Sequence, residues 1–543
     1  MDIWERLWSA LGAWGAWLAR LLRATINQPA GLTLTGLGCL LLLISTGPPA
    51  WPHAPFVVFA VGGSAALLGA FGCFLLATRN EHPHWLSRAL RWLALPVMLW
   101  ALVTAVQSSA LLANGFVTTA TQRPPHYTSD AMYYMQYSAI LVIHGENPYT
   151  GPRLAEVMAY YHTHAYTPVD RGRFSDPRHI PTSAELNAVI NEYLAHPDHP
   201  PVEVDPRTFA SYPAGAFLVA VPTALLGLPS IGFLQLALFL ALGVSVIVRA
   251  PVGSRFALAL FLLSNPEAVS RMTNGDFDIW WVAFLIWAWM LHERRWAAGL
   301  LLGAACAIKQ TAWFAAPFYL LWVWRRQGPA EAARQGAIAV GAFAAINLPW
   351  IVWSPHSWLA GLLAPMSLPL EPGGRGLIAL SLSGALPLFP SAVYSVFELA
   401  LWVGALVWAT LKSAAYTYAG LALPLLLLVV SWRSPERYFL LLSVLGVAAT
   451  ALTLRRDARV GNPHPAAGNA TAERAAHWWR FPDVPGSFRG TFGKNSMPSS
   501  FGRWQARGPR WRPSRSDRQC LIMIACALSP SMGYSGQNDR STL

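Results

Sequence analysis

The stretch that decides the fold runs from Asn274 to Arg326: NGDFDIWWVAFLIWAWMLHERRWAAGLLLGAACAIKQTAWFAAPFYLLWVWRR. Its apolar tracts, Phe277 to Leu291, Ala297 to Ile308 and Ala312 to Trp324, are separated only by short polar punctuation. The tracts approach the roughly 17 to 25 residues with which a helix crosses a bilayer. The punctuation alternates in kind: Asn274-Gly-Asp276-Phe-Asp278 and Lys309-Gln310 stand at one set of ends, His292-Glu-Arg-Arg295 and Arg325-Arg326 at the other. Arginine clusters favour the cytoplasmic side. The reading is a helical hairpin series whose acidic and lysine turns face outward.

The same pattern continues in both directions. Further apolar tracts lie at Gly31 to Thr46, Pro55 to Ala77, Leu90 to Leu112, Phe209 to Leu228, Ile231 to Val248 and Phe256 to Met272. Beyond the central stretch come Ala337 to Trp353, Val393 to Leu411, Ala414 to Val430 and Tyr438 to Leu454, with a proline-containing half-helix near Leu377 to Pro390. The prediction is an all-α polytopic transmembrane bundle of about 11 to 13 helices. Arg20 and Arg23, then Arg79, Arg88 and Arg91, place the first turns inside, so Asn114 to Arg207 forms a large extracytoplasmic first loop. Charge parity then leaves one tract too many between Arg207 and the Arg249–Arg255 turn. Phe209 to Leu228, with its Tyr-Pro start and Pro222, is expected to be re-entrant or interfacial, which bilayers tolerate where backbone lines a cavity or is buried.

Composition agrees. The 543 residues are 54% hydrophobic and 12% charged, with 26 tryptophans, well below the roughly 25% charged content of soluble domains. The net charge of +13 is not spread as a nucleic-acid surface: after Leu454 there are 14 Lys and Arg against 5 Asp and Glu, so nine of those charges lie in the tail. Residues 455–543 are rich in Gly, Pro, Ser and Arg, the composition of a disordered cytoplasmic segment, with anionic-lipid or nucleic-acid binding as the alternative. Residues 1–28 pair tryptophans with arginines, as an interfacial amphipathic helix does. The membrane body is then 29–454. Cys39, Cys73, Cys306, Cys520 and Cys526 have neither CxxC spacing nor a pairable extracellular set.

At the outer boundary the polar residues collect: Asp130, Asn274, Asp276, Asp278, Lys309, Gln310, Arg433 and Arg437. Ionisable groups at a bundle's edge are costly and mark substrate paths, though each alone can be an ordinary helix end. Asp130 opens an expected helix, Ala131 to Ile143, stopped by Gly145 and Asn147-Pro148. Spacing of three and four puts Tyr133 or Tyr134, and Tyr137, on its face. The bland role for Asp130 is helix capping, yet Thr128 and Ser129 already offer hydroxyls. One carboxylate suits sugar transfer from a lipid phosphate, because the phosphate leaves as a stable anion and one general base deprotonates the acceptor. Glycoside hydrolysis asks for two. Lys309 and Arg437 would stabilise the leaving phosphate, and tyrosines offer faces and hydroxyls for sugar.

In SDAMYYMQYSAILVIHGENPY (129–149), SYPAGAFLVAVP (211–222), the Asn274–Arg326 block and SPERYFLLL (434–442), the chain resembles multipass glycosyltransferases of the GT-C fold. It is most similar to the bacterial polyprenyl-phosphate-mannose-dependent type, glycosyltransferase family 87, over most of Thr128 to Leu454. The resemblance implies a multi-pass inner-membrane mannosyltransferase of the cell envelope. Its donor would be a polyprenyl-phosphate sugar, its acceptor an extracytoplasmic glycan or glycolipid, with no nucleic-acid partner, and Asp130 would be the catalytic base. Many GT-C members carry two adjacent acids in the first loop, whereas here Ser129 precedes Asp130. Asp276-Phe-Asp278 spells a DxD, which binds metal in soluble nucleotide-sugar enzymes. Here it opens a membrane helix without a nucleotide domain, so no resident metal or other cofactor is expected, a divalent ion being the alternative. The histidines and acids of 160–205 lack metal-ligand spacing such as HExxH and read as a solvated cover. The rival functions are a transporter or flippase of lipid-linked sugars, against which no inverted repeat is visible, and a glycan ligase.

The orientation is directly testable. In a cysteine-free background, single cysteines within 114–207 should react with an impermeant thiol reagent applied from outside, whereas one at Arg325 should not. Labelling at Arg325 alone would invert the topology.

Overall fold

Ile279–Met290, Arg295–Ile308 and Thr311–Gln327 form three successive helices, so the polar punctuation of Asn274–Arg326 is where the chain turns. The structure is a computed structural model that describes residues 29–46 and 56–460 apart from 152, 177 and 180. The expected amphipathic segment 1–28, the tail beyond 460, and Cys520 and Cys526 lie outside the described residues.

The chain is a membrane-embedded helical protein. Among the described residues, six helices are long and apolar enough to cross a membrane: Phe56–Ala77, His84–Thr121, Gly232–Arg249, Pro329–Trp353, Ser391–Lys412 and Arg437–Val460. The last, interrupted only at Leu441, is the buried centre, with Leu442, Leu445, Val447 and Ala449 fully enclosed. By contrast Val396, Leu399, Val403 and Val407 of Ser391–Lys412, and Val340, Leu348 and Val352 of Pro329–Trp353, point outward. In water such an apolar exterior would drive association; in lipid it is the solvated face.

Several helices differ from the hydropathy reading, each for a physical reason. The tract expected at Leu90 to Leu112 runs from His84 to Thr121. The backbone ladder continues as far as the Gln122 N–H, which donates to the Thr118 carbonyl at 2.9 Å, while Thr118, Thr119 and Thr121 satisfy their hydroxyls on the carbonyls of Asn114, Gly115 and Val117 at 2.8, 2.7 and 2.8 Å, so falling hydropathy does not end the helix. Phe256 to Met272 is two helices, Arg255–Leu262 and Pro266–Asn274. Asn265 caps the second by accepting the Ala268 N–H at 3.1 Å, and Pro266 at its first turn forbids continuity. Ala414 to Val430 is not an α-helix: it forms 3₁₀ turns at Ala419–Leu421 and Leu423–Val430 around Pro424. Pro355–Ser367 is a helix the hydropathy reading omitted, begun by Pro355 at its first turn. The terminal helix passes the expected boundary at 454 and carries Arg455, Arg456 and Arg459.

Phe209 to Leu228 breaks into Pro206–Ala210, Gly215–Leu218 and Val221–Leu225, with Gly227 at φ +64°. None of these pieces can span, which is what charge parity demanded. The segment expected as the first outer loop is structured rather than merely solvated. It holds helices Asp130–Ile143, Arg153–Tyr161 and Ser183–Ala195, the last opened by a Thr182/Glu185 capping box, and Val189, Ile190 and Tyr193 are fully buried. The paired strands among the described residues are two residues each, Gly373–Gly374 parallel to Arg433–Ser434. Gly374 sits at φ +116°, and a Cβ there would lie 1.9 Å from the Ser434 carbonyl, so only glycine fits.

Helix Arg295–Ile308 approaches Pro329–Trp353 through Gly299 and Gly303, four residues apart. A Cβ on Gly303 would lie 2.3 Å from the Ala339 carbonyl oxygen, so backbone contact replaces side-chain packing, as in small-residue membrane interfaces. Gly303→Ala should therefore cost about 1–3 kcal/mol and lower the thermal midpoint in detergent. Gly341→Ala, whose Cβ would meet nothing within 4 Å, should be neutral or stabilising. Equal midpoints for the two variants would contradict this close approach.

Candidate active site

Chain breaks meet at one end of the bundle, the end that carries the Asp and Lys turns. Helix Pro266–Asn274 stops at Gly275, where the Gly275 and Asp276 N–H groups both donate to the Arg271 carbonyl, at 2.6 and 2.8 Å. Asp276 then accepts the Asp278 N–H at 3.0 Å, turning the chain into Ile279–Met290. Asp278 accepts the Trp281 indole N–H at 2.7 Å and forms an ion pair with Lys309. Lys309 is extended (φ −148°, ψ 141°) between helices Arg295–Ile308 and Thr311–Gln327. That break delivers its ammonium into a cage of rings, 4.8 Å from Tyr438, 5.1 Å from Phe277 and 5.9 Å from Tyr212. Such faces stabilise a desolvated cation.

Asp130 enters from the first loop. Thr128 N–H donates to the Asn274 carbonyl at 2.7 Å, fastening the loop beside the Asp276 turn. Ser129 occupies the N-cap position but makes no side-chain cap. Instead its hydroxyl accepts from the Arg437 guanidinium at 3.1 Å. Asp130, the first helical residue, accepts the Ala131 N–H on Oδ1 at 2.8 Å and the Thr167 hydroxyl on Oδ2 at 2.6 Å. It is buried, at 8% exposure. Arg437, which opens the central helix, lies close enough for the charges of both Asp130 and Asp276 to act on it. Three carboxylates and two cations thus share one partly enclosed site, with a narrow cleft lined by Asp276, Asp278 and Arg271 among others.

Burial, reinforced by the neighbouring Asp278 carboxylate, pushes Asp276 up to about 7 against the pull of Lys309 and Arg437. For Lys309, burial lowers the pKa, but the Asp278 and Asp276 carboxylates outweigh it and hold the ammonium charged. Among the described residues, no three His, Cys, Asp or Glu side chains gather in a metal-holding group. The cation that Asp278 holds is the lysine's own.

Asp130, Asp276, Asp278, Lys309 and Arg437 come together as read from sequence; the others serve different ends. The tyrosine face does not form a common sugar platform. The Tyr133 hydroxyl accepts the Tyr127 N–H at 3.0 Å, and its ring packs on Tyr127 and Tyr161. Tyr137 donates to Glu156 at 3.3 Å, within a peripheral cluster with Arg153. Although three- and four-residue spacing keeps these rings on the Asp130 side of the helix, each is taken up by its own neighbours. Tyr134 is buried against Phe209, its hydroxyl without a partner among the described residues. Gln310 donates to the Ser211 and Leu362 carbonyls at 2.7 and 3.1 Å, so it clamps the broken 206–225 segment. Arg433 donates to the Glu371 carbonyl at 2.8 Å and fixes the two-residue strand. Asn274 contributes its carbonyl, to Thr128. The sequence reading missed Tyr212, Tyr438 and Thr167. Tyr212 and Tyr438 stood beside signals already noted, a Tyr-Pro start and Arg437; nothing near Thr167 distinguished it.

The raised Asp276 pKa carries a stability consequence. Between its ordinary value of 3.8 and about 7, the folded chain holds a proton that the unfolded chain releases, so this residue erodes stability as pH rises through that window. Asp276→Asn should remove the loss. Its thermal midpoint in detergent should exceed wild type at pH 8, with the gap closing toward pH 4. A pH-independent gap would contradict the shift.

No family model, curated protein or solved structure matches this chain.

Proposed function

We propose that the chain is an integral membrane glycosyltransferase of the GT-C type. It transfers a sugar, mannose by the resemblance, from a polyprenyl-phosphate donor to an extracytoplasmic glycan or lipid acceptor. The observation that carries this reading is Asp130, a buried carboxylate oriented by Thr167 and set beside Arg437 through Ser129, at the end of a lipid-embedded bundle.

The chemistry follows from that arrangement. The acceptor hydroxyl attacks the anomeric carbon while its proton passes to an Asp130 oxygen; the bond from that carbon to the phosphate oxygen breaks, and the phosphate keeps the electron pair. Thr167 donates to Oδ2 and the Ala131 N–H to Oδ1, so the carboxylate is fixed in orientation while each oxygen keeps a lone pair for the proton. Arg437 is the cation placed to meet the developing negative charge, because Lys309 is already engaged by Asp278. Lys309 and Asp278 act on the site by holding its turns together. The donor's polyprenyl tail would lie along the apolar outer faces of the bundle, in the plasma membrane, with the site on the extracytoplasmic side.

Transfer of labelled sugar from a polyprenyl phosphate in reconstituted vesicles tests this. Asp130→Asn keeps shape and capping but takes no proton, so turnover should fall by about 10² to 10⁴ while donor binding survives. Thr167→Val should lower turnover by roughly tenfold, through loss of a charge-assisted hydrogen bond. Arg437→Gln should weaken donor use. Full transfer by Asp130→Asn would remove the base, and movement of lipid-linked sugar across the membrane without a new glycosidic bond would favour a flippase.

A further inference from the structure

The opposite end of helix Thr311–Gln327 carries a second built site. Helix geometry places it roughly 25 Å from Lys309. There, two guanidiniums converge on one buried hydroxyl: Arg326 donates to Thr417 Oγ1 at 3.0 Å, and Arg456, from the terminal helix, donates to the same atom. Thr417 is 2% exposed. Arg325 stands beside them, donating to the Thr410 carbonyl at 3.2 Å. Among the described residues, the carboxylate paired to this group is Asp457, on Arg456 at 2.5 Å, and none pairs with Arg325 or Arg326.

Next to the arginines is a narrow cleft, open at its mouth, whose lining includes Trp289, Phe318, Trp322, Arg325, Tyr416 and Thr417. Arg326 lies over the Trp322 ring at 5.5 Å. Both tryptophans are nine-tenths or more buried, and the indole N–H of each finds no acceptor among the described residues. A buried N–H without a partner is costly and unusual. The inventory is therefore one-sided: guanidinium and indole donors gather around an apolar, aromatic space, and acceptors are short. What completes it is an acceptor-rich anion attached to an apolar body. The neighbouring exterior is itself apolar and outward-facing, with Trp324 and Leu411 exposed.

We infer that this cleft, between Thr311–Gln327 and the 3₁₀ segment that follows Ser391–Lys412, binds an anionic phospholipid of the arginine-side leaflet. The phosphodiester is held by Arg326, Arg456 and the indole N–H groups, and the upper acyl chain lies against the aromatic lining. Ordinary positive-inside charge accounts for arginines near a membrane surface. It does not account for two of them turned inward onto one buried hydroxyl beside two unsatisfied indoles. The site is independent of the glycosyl-transfer reading.

The test uses the full chain purified in detergent, with bound phospholipid extracted and quantified by mass spectrometry after extensive washing. Wild type should retain phosphatidylglycerol, and its thermal midpoint should rise on adding mixed phosphatidylglycerol and phosphatidylcholine vesicles but not pure phosphatidylcholine. Arg326→Gln/Arg456→Gln should lose retention by roughly tenfold or more, given about 1 kcal/mol per basic group at a membrane surface and more for direct phosphate hydrogen bonds. Arg88→Gln/Arg91→Gln, on the same side but exposed on another helix, should retain lipid as wild type does. Trp322→Phe, which keeps the ring and loses the donor, should weaken retention several-fold and serves if the arginine pair fails to fold. Equal losses in the two arginine pairs would reduce the site to surface charge. Unchanged retention in Trp322→Phe, or an equal midpoint rise with inorganic phosphate alone, would overturn it.

Discussion

The buried pair between Lys309 and Asp278 is the interaction on which the outer end of the bundle depends. Desolvating two charges is expensive, and losing one partner of such a pair commonly costs about 3–5 kcal/mol. Here the cost is met by the Trp281 indole on Asp278 and by three aromatic faces around the ammonium. The pair joins the turn before Ile279–Met290 to the break before Thr311–Gln327. Its ring cage brings in Tyr212 from the broken 206–225 segment and Tyr438 from the central helix. Four separate chain segments are thereby indexed to one ammonium.

That indexing explains why irregular backbone accumulates at one end. The stop at Gly275, the extended Lys309, the Pro206–Leu225 fragments and the Arg433–Arg437 corner all lie where backbone groups find partners in neighbouring loops, as bilayer-embedded chains require. Gln310 bonds the Ser211 carbonyl of the broken segment and the Leu362 carbonyl of helix Pro355–Ser367, and Thr128 bonds the end of Pro266–Asn274. The Asp130 carboxylate is presented by the same logic. Its helix begins where Ser129 is turned toward Arg437 rather than spent on capping, so the acid does the local capping through Ala131 and keeps its second oxygen for Thr167.

Much of this was legible in the chain because charge and hydropathy are local signals. The alternation of Asp and Lys turns with arginine turns located the outer cluster, and the parity of arginines foretold that Phe209 to Leu228 cannot span. The Asp130 helix and its stop at Gly145, which adopts φ +75°, followed from turn chemistry. What was not legible depended on direction and on partners distant in sequence. His84–Thr121 continues through backbone bonding where hydropathy has already fallen, and the Asn265-Pro266 cap split a tract that averages as apolar. Periodicity put tyrosines on the Asp130 face, but partners from other segments took them up, the Tyr127 N–H at Tyr133 and Glu156 at Tyr137. Arg433 was spent on the Glu371 carbonyl because the parallel Gly373–Gly374 strand, far away in sequence, brings that carbonyl to it.

The two ends of Thr311–Gln327 also differ in how their charges are balanced, and the difference bears on what each end can hold. At the Lys309 end, three carboxylates face two cations, and burial beside Asp278 favours a proton on Asp276 up to about pH 7, so acids and cations there are close to balance. At the arginine end, the donors outnumber the acceptors and no such internal balance exists among the described residues. One helix thus separates an end whose charges are matched by their neighbours from an end whose guanidinium and indole donors outnumber their acceptors among the described residues.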